Sequence, residues 1–503
     1  MVEFGDLISA VGEFGLYQKL VVLLLSLPLL LNPFQMVGQV FMVVDVPHYC
    51  NTDWIRAVGP NLTEEEQLNL TLPRDADGEY EQCSMYSPVD WDLDSIMAYG
   101  LNATEKCSNG WVYPTAQQPS LLTEFDLVCD RKDLSDISQS VYMVGLLLGA
   151  MIFGPLSDRI GRRPVLLISI LGQSLFSLAI AFLPNFIVYM VFRCIMATAV
   201  SGILITTLHG GVHYRDSVLI THCFLATGQL VLAGLSYGIR NWRLLQIAGS
   251  APTFALFFYF WVLPESARWL VTKGKIEEAK KYLKKAASIN KRTIPPELLD
   301  QVQPWHENKS MKTQLNTYSI PLNFRFMDSL VYYGLSLNVT GFGLDIYLTQ
   351  LAFGVVELPG RICCIYLLQW FGRKKVQAVL LLLAGLMCLI IVGIPEDQAV
   401  AITVLAVIGK FAACASFSTS YVYSAELFPT IIRQSGVGLC SMAARVAGII
   451  APLIRLLEQY HKAIPMAVYG SATVLGGLLC FLLPETRGVD LPDDTVTDNP
   501  QKK

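Results

Sequence analysis

Charge is what this sequence has least of: Asp, Glu, Lys and Arg make up 16% of its 503 residues, against roughly 25% in soluble globular chains. Hydrophobic residues account for 53%, which excludes an ordinary water-soluble fold and points to lipid. No GxxxxGK[ST] loop occurs, so nothing here cradles the phosphates of ATP by that motif. The 6 histidines are scattered. No Ser/His/Asp grouping, carboxylate pair or metal-ligand spacing falls on one predicted face, which leaves enzyme chemistry, metals and cofactors without support. A net charge of -4, segregated into loops, offers nucleic acid no basic surface. Residues 1–19 hold Glu3, Asp6 and Glu13 with no basic cluster before the apolar run, so they do not read as a cleaved signal peptide; the first span is its own signal anchor.

What the chain does have is apolar length. Stretches near the roughly 20 residues that cross a bilayer fall at 20–43, 137–156, 165–183, 186–208, 217–238 and 244–263, then at 326–339, 344–368, 376–394, 399–423, 435–456 and 463–483. The reading is an all-α membrane protein of 12 transmembrane helices in two six-helix halves. Residues 1–19 are the cytosolic N-terminus, 20–263 the first half, 264–317 a cytosolic linker, 318–483 the second half and 484–503 a cytosolic tail. Basic residues support that sidedness: Arg159, Arg162, Arg163, Arg215, Arg373, Lys374, Lys375 and Arg433 gather in loops of one parity, with Arg240, Arg243 and Lys462 as exceptions.

A duplication is visible in two glycine-centred basic knots, Gly154-Pro-Leu-Ser-Asp158-Arg159-Ile-Gly161-Arg162-Arg163-Pro164 and Phe371-Gly372-Arg373-Lys374-Lys375. Each is a tight turn between spanning helices, with glycine supplying the reversal and the cations staying in water. Three further segments sit at predicted cytosolic helix ends: Pro264-Glu265-Ser266-Ala267-Arg268, Glu426-Leu-Phe-Pro429-Thr-Ile-Ile-Arg433 and Pro484-Glu485-Thr486-Arg487. Each sets a carboxylate a few residues before a cation. In a low-dielectric collar such pairs lock neighbouring helices in one conformation and release them in another. Asp158, Arg159, Arg162, Arg163, Glu265, Arg268, Arg373, Glu426, Arg433 and Glu485 are therefore the gating candidates, against plain helix-end solvation.

The extracellular loop at 44–136 carries Cys50, Cys83, Cys107 and Cys129, with sequons at Asn61, Asn69 and Asn102. Four cysteines in an oxidising compartment imply two disulfides, with three connectivities open. The linker, rich in lysine from Lys273 to Lys291, reads as an amphipathic cytosolic segment whose sequon at Asn308 stays unmodified.

These motifs resemble the major facilitator superfamily and, within it, the organic ion transporters of solute carrier family 22, over essentially the whole chain. Gly238-Ile-Arg-Asn-Trp-Arg-Leu-Leu-Gln246, Leu263-Pro-Glu-Ser-Ala-Arg-Trp269, Tyr332-Tyr-Gly-Leu-Ser-Leu337 and Tyr421-Val-Tyr-Ser-Ala-Glu-Leu-Phe-Pro429 are most similar to the branch associated with urate and nicotinate exchange. The resemblance implies the major facilitator fold, a midplane site opening alternately to each side, and small organic anions exchanged for a counter-anion at the plasma membrane. It also sets departures in relief. The turn between spans four and five, Leu208-His-Gly-Gly-Val-His-Tyr214, is shorter than in the relatives, and span seven is left with about 14 residues because Asn316 to Arg325 is too polar for mid-bilayer. Those shortenings keep a non-transporting scaffold or sensor open as an alternative, beside a cation or zwitterion carrier.

The intramembrane cations bear on substrate charge. Arg445 lies in the middle of apolar span eleven and needs a cavity or a partner there; the resemblance places arginine at this position in anion carriers and an acid in cation carriers. Its possible structural partners are Glu357, Asp328 and Asp345. Arg361 follows Pro359 and Gly360 and has Glu357 one turn earlier as a neutralising neighbour. Lys410 matches a basic position shared across the family. Tyr332, Tyr333 and Phe417 are candidate faces for a flat anion, against ordinary helix packing. Asn32, Gln35 and Gln39 are candidate lining on the first helix, Asn32 and Gln39 being seven apart on one face, with Gln229 a further candidate.

Overall fold

A computed structural model describes residues 10–12, 15–75, 78–114, 118–208, 214–295, 319–395, 397–428 and 433–486. In lipid every backbone N–H and C=O must be satisfied within its own segment, so long Leu-, Ile- and Val-rich runs fold as helices. The first half holds α1 (Leu16–Met36), α2 (Asp133–Ile160), α3 (Arg162–Ile180), α4 (Phe186–Leu208), α5 (Tyr214–Gly238) and α6 (Trp242–Ala255). The second holds α7 (Ser319–Leu337), α8 (Ile346–Phe371), α9 (Arg373–Val392), α10 (Ala399–Leu427), α11 (Arg433–Arg455) and α12 (Ile464–Leu479). Ten of these are long and apolar enough to cross a membrane. The other two are α6, which continues past Ala255 as tighter turns to Val262, and α7, which carries Arg325 and Asp328.

Span seven is not shortened as expected, and span four has the bounds read from the sequence. Helix α4 has 23 residues, about 34 Å at 1.5 Å per residue, and α7 has 19, about 28 Å. The polar segment ahead of Tyr332 is helical from Ser319, and its charged residues are buried within the bundle, Arg325 being 1% and Asp328 0% exposed. The turn at 209–213 lies outside the described residues. One correction concerns α1. The N–H groups of Val37 and Gly38 both bond the Pro33 carbonyl, ending the helix at Met36 before a single turn, Gln39–Met42. Asn32 and Gln39 therefore do not share one continuous helical face.

The bundle presents apolar side chains outward and encloses both apolar cores and buried polar groups. Trp370, Phe182 and Leu175 stand exposed where lipid would cover them. Leu25, Leu29, Leu166, Ile170, Ile203 and Tyr259 form one apolar core in the first half; Phe324, Ala378, Leu381 and Tyr423 form another in the second. Helix α7 packs on α10 and α11, α8 on α10, and α5 of the first half on α8 of the second. In the linker, Ile276–Ile289 buries Ala279, Leu283, Ala286 and Ala287 and leaves Lys281, Lys284 and Lys285 in solvent. Asn290 ties it to the start of α1 through the Gln18 side chain at 2.8 Å and the Val11 carbonyl at 2.9 Å. Asn308 and residues 487–503 lie outside the described residues.

Residues 42–135 form a second compact unit. Strand β1 (Tyr49–Cys50) pairs antiparallel with β4 (Trp111–Val112), and β2 (Ser84–Tyr86) with β3 (Thr104–Lys106). Of the three possible connectivities the disulfides are Cys50–Cys107 and Cys83–Cys129. His48 approaches Cys83 and Cys129, but those sulfurs are already bonded to each other and cannot ligate a metal as thiolates. The helix Glu64–Thr71 starts on a capping box between Thr63 and Glu66. Hydrogen bonds from the Thr63 backbone and hydroxyl hold the Glu66 carboxyl below its ordinary value. The sequon asparagines Asn61, Asn69 and Asn102 are all exposed.

Candidate functional site

Helices α7, α8 and α10 bring a charged cluster to the interior of the second half. Glu357 on α8, 0% exposed, holds Arg361 one turn on at 2.9 Å and Lys410 of α10 at 2.9 Å. The Tyr332 hydroxyl of α7 donates to the same carboxylate at 2.9 Å and accepts from the Gln229 amide of α5 at 3.1 Å, which ties the first half to the cluster. Lys410 also reaches the Ser336 hydroxyl, and Arg361 donates to Ser418 at 3.1 Å. One carboxylate therefore faces two cations.

Around this cluster stands a wall of rings. Tyr332 stacks on Phe417 with centroids 5.1 Å apart and meets Tyr333 edge-on at 5.4 Å; Phe417 meets Tyr421 at 5.4 Å. His222 of α5 closes on Tyr421 at 5.4 Å. The Lys410 ammonium lies 3.5 Å from the Tyr332 centroid, and the Arg325 guanidinium 3.7 Å from that of Tyr421 and 5.0 Å from that of Phe417. Arg325 falls in the segment whose polarity argues against a membrane crossing, yet an ionisable residue inside an apolar pattern is itself a signal of a functional position. The same signal marks Arg193 in α4.

Arg445 has none of the carboxylate partners considered for it. Glu357 is occupied by Arg361 and Lys410. Asp328 accepts from the Gln377 amide at 2.9 Å and from Ser416, and Asp345 caps α8 through the N–H groups of Tyr347 and Leu348. Arg445 instead crosses to the first half, donating to the Leu146 carbonyl at 2.7 Å and to Ser201 at 2.8 Å, while its Nε has no hydrogen-bond partner among the described residues. Four buried cations, Arg193, Arg325, Arg361 and Lys410, face two buried acids, Asp328 and Glu357, among the described residues. Arg445 adds a fifth positive charge.

Gln35 belongs to a separate network in the first half. It donates to Ser177 at 2.6 Å and accepts from Gln246 at 3.1 Å; its carbonyl takes Arg193, which also holds Gln139 at 2.7 Å and Tyr189 at 2.8 Å. The buried amide of Asn32 has no hydrogen-bond partner among the described residues, and Gln39 is buried nearby in sequence.

The gating candidates are arranged differently from the local acid–cation pairs expected. Glu265 accepts the backbone N–H of Arg162 at 3.1 Å and of Arg163 at 3.3 Å, and Glu485 those of Arg373 at 2.8 Å and Lys374 at 3.2 Å. Each carboxylate thus caps the helix that follows a turning glycine, Gly161 with φ 103° and Gly372 with φ 86°. A Cβ on either glycine would lie 2.5 or 2.6 Å from a carboxylate oxygen. Arg373 additionally pairs with Glu426 at 3.0 Å, which Thr486 also reaches at 2.6 Å. Asp158 and Arg159 are exposed, the Asp158 carbonyl accepting from the Trp269 indole at 3.1 Å. The side chains of Arg268 and Arg433, and all of Arg487, lie outside the described residues.

The Sugar (and other) transporter family matches residues 103–493. Solute carrier family 22 member 13 of Homo sapiens is 48% identical, the alignment covering 98% of this chain and 92% of the relative. Member 14 of Mus musculus is 39% identical over 98% of this chain and 80% of the relative, and member 6 of Oryctolagus cuniculus 37% over 99% and 94%. Among solved structures, the proton:xylose symporter XylE bound to 6-bromo-6-deoxy-D-glucose superposes with a TM-score of 0.62 over 94% of this chain and 98% of that one, at 16% identity, a likeness that speaks for the fold alone. With its helical bundle, its buried charges and these relatives, the chain belongs to solute carrier family 22 and is a multi-pass membrane transporter of the major facilitator fold.

Proposed function

We propose that this transporter carries small organic anions, urate, nicotinate or similar carboxylates, in exchange for a counter-anion, by alternating access across the plasma membrane with both termini cytosolic. The observation that carries the reading is the excess of positive charge inside the bundle, above all the absence of a carboxylate on the half-buried Arg445 among the described residues. A guanidinium inside a membrane protein is costly unless an anion meets it, and a neutral carbonyl and hydroxyl compensate only part of that cost. Arg445 binds the substrate carboxylate, Tyr333, Phe417 and Tyr421 flank its ring, and Arg361 and Lys410 raise the local potential while sharing Glu357. Asn32, Gln35 and Gln39 line the first-half side.

Because the present acceptors of Arg445 sit on α2 and α4, an arriving anion replaces contacts that join the two halves, and binding thereby loosens the closed arrangement. Glu265, Glu485 and the Arg373–Glu426 pair hold the helix ends at the opposite rim, with Asp158, Arg159, Arg162, Arg163, Arg268 and Arg433 as the other members of the gate.

The test is uptake of radiolabelled nicotinate and urate into cells expressing the chain, with and without preloaded organic anions, and surface biotinylation in parallel. Uptake stimulated from the opposite side and abolished by Arg445→Ala at equal surface abundance supports the reading; uptake unchanged by that substitution refutes it.

A further inference from the structure

Arg325 is the one wholly buried guanidinium of the site that neither the anion-binding scheme nor the gate uses. Its Nη1 donates to Ser420 at 2.6 Å and to the Phe417 carbonyl at 3.4 Å. Its Nη2 has no hydrogen-bond partner among the described residues, and it forms no ion pair with any of them. Asp328, three residues along α7, is taken by Gln377 and Ser416. What the cation does contact is aromatic: it lies 3.7 Å from the Tyr421 centroid and 5.0 Å from that of Phe417. Arg325 is 1% exposed, whereas Phe417, Tyr421 and Arg445 keep partial exposure. The guanidinium therefore sits behind rings that remain accessible.

Lys410 repeats the arrangement 3.5 Å from Tyr332, and Tyr332 stacks on Phe417. Lys410, the stacked pair Tyr332 and Phe417, Arg325 and Tyr421 form a ladder in which a cation lies against each end of the ring pair and Tyr421 lies beyond Arg325. An aromatic ring draws a cation to its face through the negative charge of that face. When a buried cation already occupies one face, the opposite face is electron-poor, and a second cation there would meet both a spent quadrupole and a like charge at low dielectric. A planar anion meets the reverse.

We infer that Arg325 is a positioning residue that backs the Tyr421 and Phe417 rings and makes this aromatic wall anion-selective, closing to organic cations a surface that would otherwise suit them. The inference rests on the site being the substrate site proposed above. It separates two tasks: Arg445 holds the anionic group, and Arg325 decides which charge of ring the wall accepts.

The test uses purified full-length protein and two pyridine ligands of opposite charge, nicotinate and 1-methylnicotinamide, with dissociation constants from ligand-induced thermal stabilisation. Wild-type protein binds nicotinate in preference to 1-methylnicotinamide. Arg325→Met reduces that preference by about tenfold or more, and Arg325→Lys restores most of it. A preference unchanged in Arg325→Met overturns the inference alone. A wild type that binds 1-methylnicotinamide better, or neither ligand, overturns the inference together with the proposed function. A lowered melting temperature with both ligands weakened equally means Arg325 is structural, which also overturns it.

Discussion

Glu357→Gln is the substitution from which the central cluster predicts most. The carboxylate is 0% exposed and accepts from Arg361, Lys410 and Tyr332 at once. An amide of the same shape keeps one oxygen acceptor and no charge, so two cations are left in a low-dielectric interior with a single neutral partner between them. Removing one member of a buried pair costs about 3–5 kcal/mol. At roughly 2 °C per kcal/mol, the low end for large domains, the melting temperature of purified protein falls by about 6–10 °C. Lys410→Met supplies the contrast. It removes one of the two cations, leaves Glu357–Arg361 as a balanced pair, and costs well under half as much. Thermal unfolding in detergent reads both variants. If Glu357→Gln is no less stable than Lys410→Met, the cluster is not an excess-cation site and the charge argument fails. Added benzoate should recover part of the loss in Glu357→Gln, because an anion enters the vacated role.

The remaining expectations concern turns, disulfides and a hydroxyl. Gly372→Ala forces a left-handed φ of 86° on an L side chain, about 1–2 kcal/mol, and drives its Cβ to 2.6 Å from Glu485; surface abundance falls, whereas Gly154→Ala, with nothing within 4 Å, leaves it unchanged or raised. Non-reducing peptide mapping yields linked peptides for Cys50–Cys107 and Cys83–Cys129; a peptide joining Cys50 to Cys83 would contradict the fold of the loop unit. Closing loops with separations of 57 and 46 residues contributes about 4 kcal/mol each, so loss of either pair exposes the unit to protease. Tyr332→Phe removes one donor to Glu357 and costs about 1 kcal/mol, measured by the same thermal assay.

Much of the bundle was legible because hydropathy and basic loops are properties of segments. The disulfide-bonded loop and the pairing of Arg361 with Glu357 were legible as well, the latter because four residues make one helical turn. What failed to show depends on which way a side chain points after packing. Arg325 and Asn323 made α7 look too polar to cross, since an average over residues cannot tell a lipid-facing arginine from one under Tyr421. Lys410 joins Glu357 from another helix, and no spacing announces that. Glu265 and Glu485 were read against the cations that follow them in sequence, but their partners are backbone amides more than a hundred residues back, at a separation of 103 for Arg162 and 112 for Arg373. Cysteine connectivity was open for the same reason.

Those two carboxylates also set an order of assembly. The start of α3 remains uncapped while the ribosome makes α4, α5 and α6, and is closed only when Glu265 emerges; α9 waits in the same way for Glu485, beyond the last spanning helix. A chain stopped just before Pro484 would insert every span yet leave an open helix end in its second half, a lesion of biogenesis rather than of topology. Quality control in the secretory pathway would then meet a protein that is fully threaded and still unfinished.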